Sequence, residues 1–141
     1  MTQEQADLSY LQMAHIWAGN STARKLHVGA LIVKDRSIIS DGYNGTPSGF
    51  DNNCEDEQED GTLITKPEVL HAEANAITKL ARSTQSSEGA TIYITDSPCL
   101  QCAKLIIQAG IKRVVFDRPY RNTEGIGLLE KAGVEVCRMP L

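Results

Sequence analysis

The residues best suited to catalysis lie in two short segments, HAE at positions 71–73 and PCLQC at positions 98–102. Cys99 and Cys102 are three positions apart at a predicted helix start, so both thiols should lie on one helix face. Two thiols and an imidazole are soft ligands that favour zinc over magnesium or calcium. Structural zinc sites use four protein ligands, whereas catalytic sites use three and keep one position open. His71, Cys99 and Cys102 therefore predict a catalytic zinc site.

The acid that accompanies these ligands is Glu73. The segment LHAEANAITKLA, residues 70–81, predicts a helix that carries His71 and Glu73 in its first turn. Residues two positions apart on a helix are about 200° apart around its axis, so the two side chains should diverge. Both can serve one metal if it lies in front of the helix N-terminus. We then expect His71 to bind the ion and Glu73 to lie near its open side, outside bonding distance.

The remaining sequence predicts the elements that would position these segments. A helix over residues 4–19 precedes a β-hairpin, with strands at 28–33 and 37–40 around a charged turn. Residues 45–66 predict a long polar loop whose six acidic residues, between 51 and 60, are expected to be solvated. After the HAE helix, predicted strands alternate with predicted helices in the order ATIYIT, CLQCAKLIIQAG, KRVVF, TEGIGLLEKAG and VEVC.

These elements predict one domain over residues 1–141, a five-stranded mixed sheet with helices on both faces. If the strands before the two site helices are parallel neighbours, both helix N-termini open at one sheet edge. That edge is where α/β proteins place their sites. Two helix dipoles would then converge on the metal and favour ionised thiols.

Composition narrows the classes of function. The 141 residues are 41% hydrophobic and 23% charged, with a net charge of −4, which lowers the odds of a polynucleotide substrate. No apolar run reaches the roughly 18 residues of a membrane span, and the N-terminal residues lack a signal-peptide pattern. We therefore expect a cytoplasmic protein without membrane association, whose four cysteines are reduced.

The order H-x-E and then P-C-x-x-C is the signature of zinc-dependent deaminases. The segments VGALIV, GYNGTPSG, HAEANAI and PCLQCAKLIIQAGIKRVVF resemble the cytidine deaminase superfamily, and in particular its deoxycytidylate (dCMP) deaminase branch. The resemblance covers residues 21–136. It implies a cytidine deaminase-like three-layer α/β/α fold and zinc-dependent hydrolysis of dCMP to dUMP and ammonia, feeding dTMP synthesis. It also implies that His71, Cys99 and Cys102 bind Zn²⁺ and that Glu73 shuttles protons without binding the metal.

The same resemblance implies a set of substrate contacts. Asn44 would bind the sugar or the base, although an Asn-Gly pair is also common in tight turns. Ala72 would offer its backbone N–H to the cytosine carbonyl, and Ser97 would also contact the substrate. Tyr120 and Arg121 would stack on the ring and bind the 5′-phosphate, since arginine forks onto phosphate. A solvated loop is the alternative for these last two residues.

Relatives in the dCMP branch also suggest regulation. The resemblance implies a homo-hexamer activated by dCTP and inhibited by dTTP. The effector site would lie near Gly42, Tyr43, Gly45 and the acidic loop, with Mg²⁺ bridging the triphosphate. Some relatives carry additional Cys and His between GYNG and HAE that form a second zinc site. Here this stretch holds only Cys54 and no histidine before His71, so a second zinc is not expected.

Other readings of the two motifs remain open. Within the superfamily, the chain could deaminate tRNA adenosine, cytidine or cytosine. Outside it, the cysteine pair could belong to a non-catalytic zinc-binding module or to a thiol redox protein. A redox C-x-x-C has no need of the HAE segment, which makes that last alternative the weaker one.

Overall fold

A five-stranded mixed sheet forms the centre of the computed structural model, which describes residues 1–141. The helices are α1 (Gln3–Ala18), α2 (Ala72–Leu80), α3 (Leu100–Gln108) and α4 (Glu124–Lys131), and the strands are β1 (Gly29–Lys34), β2 (Ser37–Tyr43), β3 (Glu55–Glu57), β4 (Leu63–Thr65), β5 (Thr91–Asp96), β6 (Arg113–Arg118) and β7 (Glu135–Arg138). The sheet order is β2-β1-β5-β6-β7. Strand β1 is antiparallel to β2 and β5, whereas β5, β6 and β7 are parallel. None of the helices is long and apolar enough to cross a membrane.

Helices cover both faces of this sheet, which confirms the predicted three-layer α/β/α architecture. The alternation of side chains along β1 explains the arrangement. Leu31 and Val33 belong to a buried cluster with Leu11 of α1. Ala30 and Ile32 belong to the larger cluster, formed with residues of α2, α3 and α4. Strand β1 is therefore buried on both faces, as its apolar sequence requires.

A buried ion pair fastens α1 to the sheet. Asp7 accepts two hydrogen bonds from Arg113, at 2.8 and 2.7 Å, and one from the Tyr93 hydroxyl at 2.6 Å. Burial alone would raise the pKa of Asp7, but the hydrogen bonds from Arg113, Tyr93 and Gln3 lower it overall. The carboxylate is thus charged, fully paired and able to tie α1 to β5 and β6.

One predicted element is wrong, and one condition placed on the strand order is not met. The polar stretch 45–66 is not all loop, because β3 and β4 form a short antiparallel hairpin within it. The last strands of the five-stranded sheet before α2 and α3 are β2 and β5, which are not neighbours, because β1 lies between them. Since β1 is antiparallel to both, β2 and β5 still run in the same direction. Helices α2 and α3 can therefore begin at the same end of the sheet, and they contact each other.

Candidate metal centre and active site

Three side chains form the one group in the structure suited to holding a metal ion: His71, Cys99 and Cys102. The Nδ1 atom of His71 lies 3.5 Å from Sγ of Cys99 and 3.4 Å from Sγ of Cys102. In a tetrahedral zinc site with ordinary bond lengths, the N and S ligand atoms are about 3.6 Å apart. The spacing and the chemistry of this donor set therefore fit Zn²⁺.

The ligands are placed by the starts of two helices. His71 is the N-cap residue of α2 and Cys99 is the N-cap residue of α3, both with extended backbone. The Cys99 sulfur accepts a hydrogen bond from the backbone N–H of Cys102 in the first turn of α3. His71 thus precedes its helix, whereas the sequence placed it within the first turn. The free N–H groups of two helix starts contribute positive potential next to the thiols.

The three ligand side chains strongly change one another's pKa values. Hydrogen bonds from Cys102 and His71 lower the pKa of Cys99 to about 3, against the opposing effect of burial. The hydrogen bond with Cys99 and burial both raise the pKa of Cys102. The hydrogen bond with Cys99 also raises the pKa of His71. A negative Cys99 therefore keeps protons on its neighbours, and both thiols ionise together only with a cation among them.

Glu73 lies beside this group and does not belong to it. It follows Ala72 in the first turn of α2, and only 4% of its surface is exposed. Burial raises the pKa of Glu73 to about 7, partly offset by a hydrogen bond from its own backbone N–H. A carboxyl group with a pKa near neutrality can accept a proton and return it at the same pH. This is the property that a proton shuttle needs.

A cavity of about 210 Å³ opens next to the metal group. Of the predicted substrate residues, Asn44, Ala72, Ser97 and Tyr120 line it, together with His71, Glu73 and Cys99. Arg121 is exposed and does not line the cavity. As the first residue of α2, Ala72 has a backbone N–H without a partner inside the helix, so a ligand acceptor can use it. The structure thus brings together every predicted substrate residue except Arg121.

Asn44 holds one wall of the cavity in place. Its Oδ1 accepts a hydrogen bond from the Val28 backbone N–H at 2.9 Å, and its Nδ2 donates to the Leu26 carbonyl at 2.8 Å. Its own carbonyl accepts from the Ser21 hydroxyl. Asn44 therefore does not serve a two-residue hairpin turn. It fixes the segment 21–28, hereafter the entry wall, and Nδ2 retains a second hydrogen for a ligand.

Ser97 and Tyr120 are coupled on the opposite side of the cavity. The Ser97 hydroxyl accepts a hydrogen bond from the Tyr120 backbone N–H at 2.6 Å. The Ser97 backbone N–H donates to the Arg118 carbonyl at 2.8 Å. These bonds hold the half-exposed Tyr120 next to Ser97 in the cavity lining, while Arg121 lies in the exposed loop that follows β6.

The three residues predicted to bind an effector have different surroundings. A Cβ atom at Gly42 would lie 2.5 Å from the Ala72 carbonyl oxygen, so this glycine lets α2 pack closely on β2. Gly42 is therefore covered by protein and does not face a phosphate. Tyr43 is partly exposed, with 36% of its surface accessible. Gly45 forms two backbone hydrogen bonds with Leu70, the residue before His71.

Lys25 and Glu55 are among the cavity residues that were missed from the sequence. Lys25 lines the cavity from the entry wall and is its only lysine or arginine. Glu55 also lines it and is 1% exposed, although it belongs to the acidic run expected to be solvated. The other five acids of that run are exposed. The adjacent Cys54, fully buried, is the one sequence signal that could have indicated that the chain turns inward here.

A further glycine supports the metal ligands. Gly125, in the first turn of α4, is buried against the backbone of the PCLQC segment. A Cβ atom there would lie 2.3 Å from the Pro98 carbonyl oxygen and 2.8 Å from that of Cys99. The absence of a side chain at position 125 thus allows α4 to brace the start of α3.

Comparison with known proteins agrees with this geometry. The family model described as the cytidine and deoxycytidylate deaminase zinc-binding region matches residues 4–118. Deoxycytidylate deaminase of Enterobacteria phage T4 is 36% identical, with 92% of this chain and 88% of the phage protein aligned. ComE operon protein 2 of Bacillus subtilis is 40% identical over 94% of this chain and 70% of that protein. The crystal structure of dCMP deaminase from cyanophage S-TIM5, in complex with dCMP and dUMP, superposes with a TM-score of 0.89. The two sequences are 45% identical, and the superposition covers 99% of this chain and 99% of the cyanophage chain.

Proposed function

The chain belongs to the cytidine and deoxycytidylate deaminase family, and from that premise we propose that it hydrolyses dCMP to dUMP and ammonia with Zn²⁺ as cofactor. The observation that carries the proposal is the buried Glu73, which lines a cavity next to the three-ligand group of His71, Cys99 and Cys102. The solved relative from cyanophage S-TIM5, which holds dCMP and dUMP, supports the choice of nucleotide.

The three metal ligands and Glu73 have separate roles in the proposed reaction. Zinc bound to His71, Cys99 and Cys102 would acidify a water molecule and so supply the nucleophile at neutral pH. Glu73 accepts the proton of that water, because its carboxyl has a pKa near neutrality. It donates this proton to the ring nitrogen as the water oxygen bonds to C4, and then passes the remaining proton of the new C4 hydroxyl to the amino group, which leaves as ammonia when its bond to C4 breaks. One buried carboxyl thus acts first as base and then as acid.

The other cavity residues orient the nucleotide. The Ala72 backbone N–H donates to the cytosine carbonyl, and the Tyr120 ring lies against the base at the cavity edge. Lys25 binds the 5′-phosphate, because it is the cation that lines the cavity, and it replaces Arg121 in the role that the family resemblance implied. Asn44 positions the entry wall and keeps one N–H for the sugar or the base.

A substrate panel tests this function. Protein of measured zinc content is incubated with dCMP, deoxycytidine, cytidine, cytosine and tRNA, and released ammonia is quantified. We expect dCMP to react fastest, and Lys25→Met to raise the KM for dCMP much more than that for deoxycytidine. Turnover of the phosphate-free substrates or tRNA alone would refute the proposal, and no turnover with intact zinc would favour a binding module.

We further propose that the enzyme is activated by dCTP with Mg²⁺ and inhibited by dTTP at a site that includes Tyr43 and Gly45. The paired backbones of Gly45 and Leu70 support this, because they connect the GYNG segment directly to the residue before His71. The exposed acids nearby would repel a bare triphosphate, which accounts for the Mg²⁺. We expect a sigmoidal dCMP response that becomes hyperbolic with dCTP and Mg²⁺. A rate curve unaffected by either nucleotide would exclude this regulation.

The proposed setting is a homo-hexamer of one-domain subunits, residues 1–141 each, that supplies dUMP for dTMP synthesis in the cytoplasm. Exposed apolar side chains on α1, such as Ile16 and Met13, support self-association. Four unpaired cysteines suit a reducing compartment. Light scattering of the zinc-loaded protein tests the oligomer, and a monomeric mass at micromolar concentration would contradict it.

A further inference from the structure

More acidic than basic side chains line the cavity that would hold the nucleotide. Glu55, Glu73 and Asp96 line it together with a single lysine, Lys25. A bound zinc ion would cancel the charges of its two cysteine ligands, so it would not offset these acids. The 5′-phosphate of a nucleotide carries nearly two negative charges at neutral pH. Wall carboxylates without counter-ions would therefore repel the proposed substrate.

Arginines from outside the lining pair with two of these acids. Nε of Arg24 lies 3.5 Å from Oε1 of Glu55. Nη2 of Arg118 donates a hydrogen bond to Oδ1 of Asp96 at 2.7 Å. Neither arginine lines the cavity, and the third acid, Glu73, is the one that the proposed reaction uses. The charge balance of the wall thus depends on side chains that lie outside the cavity.

Arg118 is the cation that pairs with Asp96. The two residues end the parallel strands β5 and β6 and are directly opposite in the sheet register. Asp96 is 9% exposed, and its Oδ1 also accepts a hydrogen bond from the buried Thr95 hydroxyl at 2.9 Å. The Arg118 side chain, by contrast, is 49% exposed. Loss of Arg118 would therefore leave Thr95 holding a carboxylate without a counter-ion in the cavity wall.

We propose that Arg118 sets the preference of the enzyme for a 5′-phosphorylated substrate by compensating the charge of Asp96, without touching the nucleotide. The inference rests on the proposed nucleotide deaminase function. With Asp96 compensated, Lys25, which forms no ion pair in the structure, acts on the phosphate unopposed. Arg118 is thus a positioning residue that acts through Asp96, and its effect depends on the charge of the substrate rather than on the reaction step.

Arg118→Met tests the proposal, because methionine keeps an unbranched chain and removes the charge. At an effective dielectric constant of about 20, two unit charges about 10 Å apart interact with an energy equivalent to about 10-fold in affinity. We therefore expect the KM for dCMP to rise about 10-fold, whereas the KM for uncharged deoxycytidine, or its inhibition constant if turnover is too slow, should change less than about twofold. The kcat for dCMP should stay near the wild-type value. Raised salt should reduce the effect on dCMP, because it screens the repulsion.

Three further variants separate charge from structure. Arg118→Lys keeps the charge and should bind dCMP more tightly than Arg118→Met. Asp96→Asn removes the repelling carboxylate and leaves Arg118 unpaired, so it should lower the KM for dCMP. The double variant Asp96→Asn/Arg118→Met should return this KM to within about threefold of wild type, because neither charge remains.

Arg138→Met is the matched control, because Arg138 also ends a sheet strand, is exposed and forms no ion pair with an acidic side chain. It should keep the wild-type constants. An equal rise for dCMP and deoxycytidine in Arg118→Met, or no rise, would overturn the inference, and so would a double variant that binds dCMP as weakly as Arg118→Met. If Arg118→Met does not fold, Asp96→Asn decides, and an unchanged or raised KM for dCMP overturns the inference. A wild-type enzyme that releases no ammonia from dCMP refutes the proposed function itself.

Discussion

The substitution Gly125→Ala tests whether α4 positions the metal ligands. The new Cβ atom would lie 2.3 Å from the Pro98 carbonyl oxygen and 2.8 Å from that of Cys99. Both partners are rigid backbone, and the first distance is roughly 1 Å shorter than an ordinary contact. Either α4 or the PCLQC segment must therefore move by about that amount, which exceeds the roughly 0.2 Å tolerance of a zinc–ligand distance.

The expected magnitude follows from this displacement. Overpacking a rigid contact costs about 1–3 kcal/mol of stability. Displacing Cys99 through its supporting backbone should weaken zinc affinity about 10- to 100-fold, as other losses of ligand support do. Gly127→Ala is the matched control on the same helix, because a Cβ atom there meets nothing within 4 Å. It should stabilise the protein by about 0.5–1 kcal/mol through helix propensity.

Three measurements distinguish the two glycine variants. Competition with a chromophoric chelator gives zinc affinity, urea unfolding gives stability, and ammonia release gives kcat. We expect Gly125→Ala to lose zinc affinity and kcat together, and Gly127→Ala to keep both. If Gly125→Ala binds zinc as tightly as wild type and is no less stable, α4 does not brace the metal ligands.

Further predictions concern the shuttle, the α1 ion pair and the metal. Glu73→Gln should retain zinc and lose about 100- to 10,000-fold in kcat, the range of general acid–base catalysis; loss of zinc would instead make Glu73 structural. Asp7→Asn should cost about 3 kcal/mol in urea unfolding near neutral pH, because it removes the buried partner of Arg113 and leaves this arginine only the exposed Glu135. Since the pKa of Asp7 is lowered in the folded protein, its contribution is complete above the usual value of 3.8 and disappears as the pH falls below it. The difference from wild type should therefore narrow in acid, and a gap independent of pH would contradict the assignment. Chelation should abolish ammonia release, with activity restored by Zn²⁺ and not by Mg²⁺, and activity that survives chelation would exclude the metal mechanism.

The metal group could be predicted from sequence because its determinants are local. Cys99 and Cys102 are joined by one helical turn, and the Pro98–Cys99 boundary marks the start of α3. His71 was assignable because HAE opens a second helix. The condition that the two preceding strands be neighbours is not met, but β1 lies antiparallel between β2 and β5, so these two strands still run in the same direction.

The opposite wall of the cavity could not be predicted in this way. Glu55 is buried because it bonds the backbone of residues 24 and 25, some thirty positions earlier. Backbone N–H groups have no sequence signature, so an acid that binds them looks like any solvated acid. The β3–β4 hairpin could not be predicted for a similar reason. Its strands have three residues each and only one partly buried apolar side chain, Leu63, too little for an alternating pattern.

The two sides of the cavity are therefore held by different forces. The N-terminal ends of α2 and α3 form the side of the cavity that carries the metal ligands. Apolar residues of both helices belong to the larger hydrophobic cluster. The entry wall is attached mainly by polar contacts, from Asn44 to residues 26 and 28 and from Glu55 to residues 24 and 25. Apolar burial is nondirectional, whereas hydrogen bonds depend on geometry and can be exchanged for bonds to a ligand. The metal ligands thus lie on the side held by apolar packing, whereas Lys25, the proposed phosphate-binding residue, lies on the wall held by hydrogen bonds.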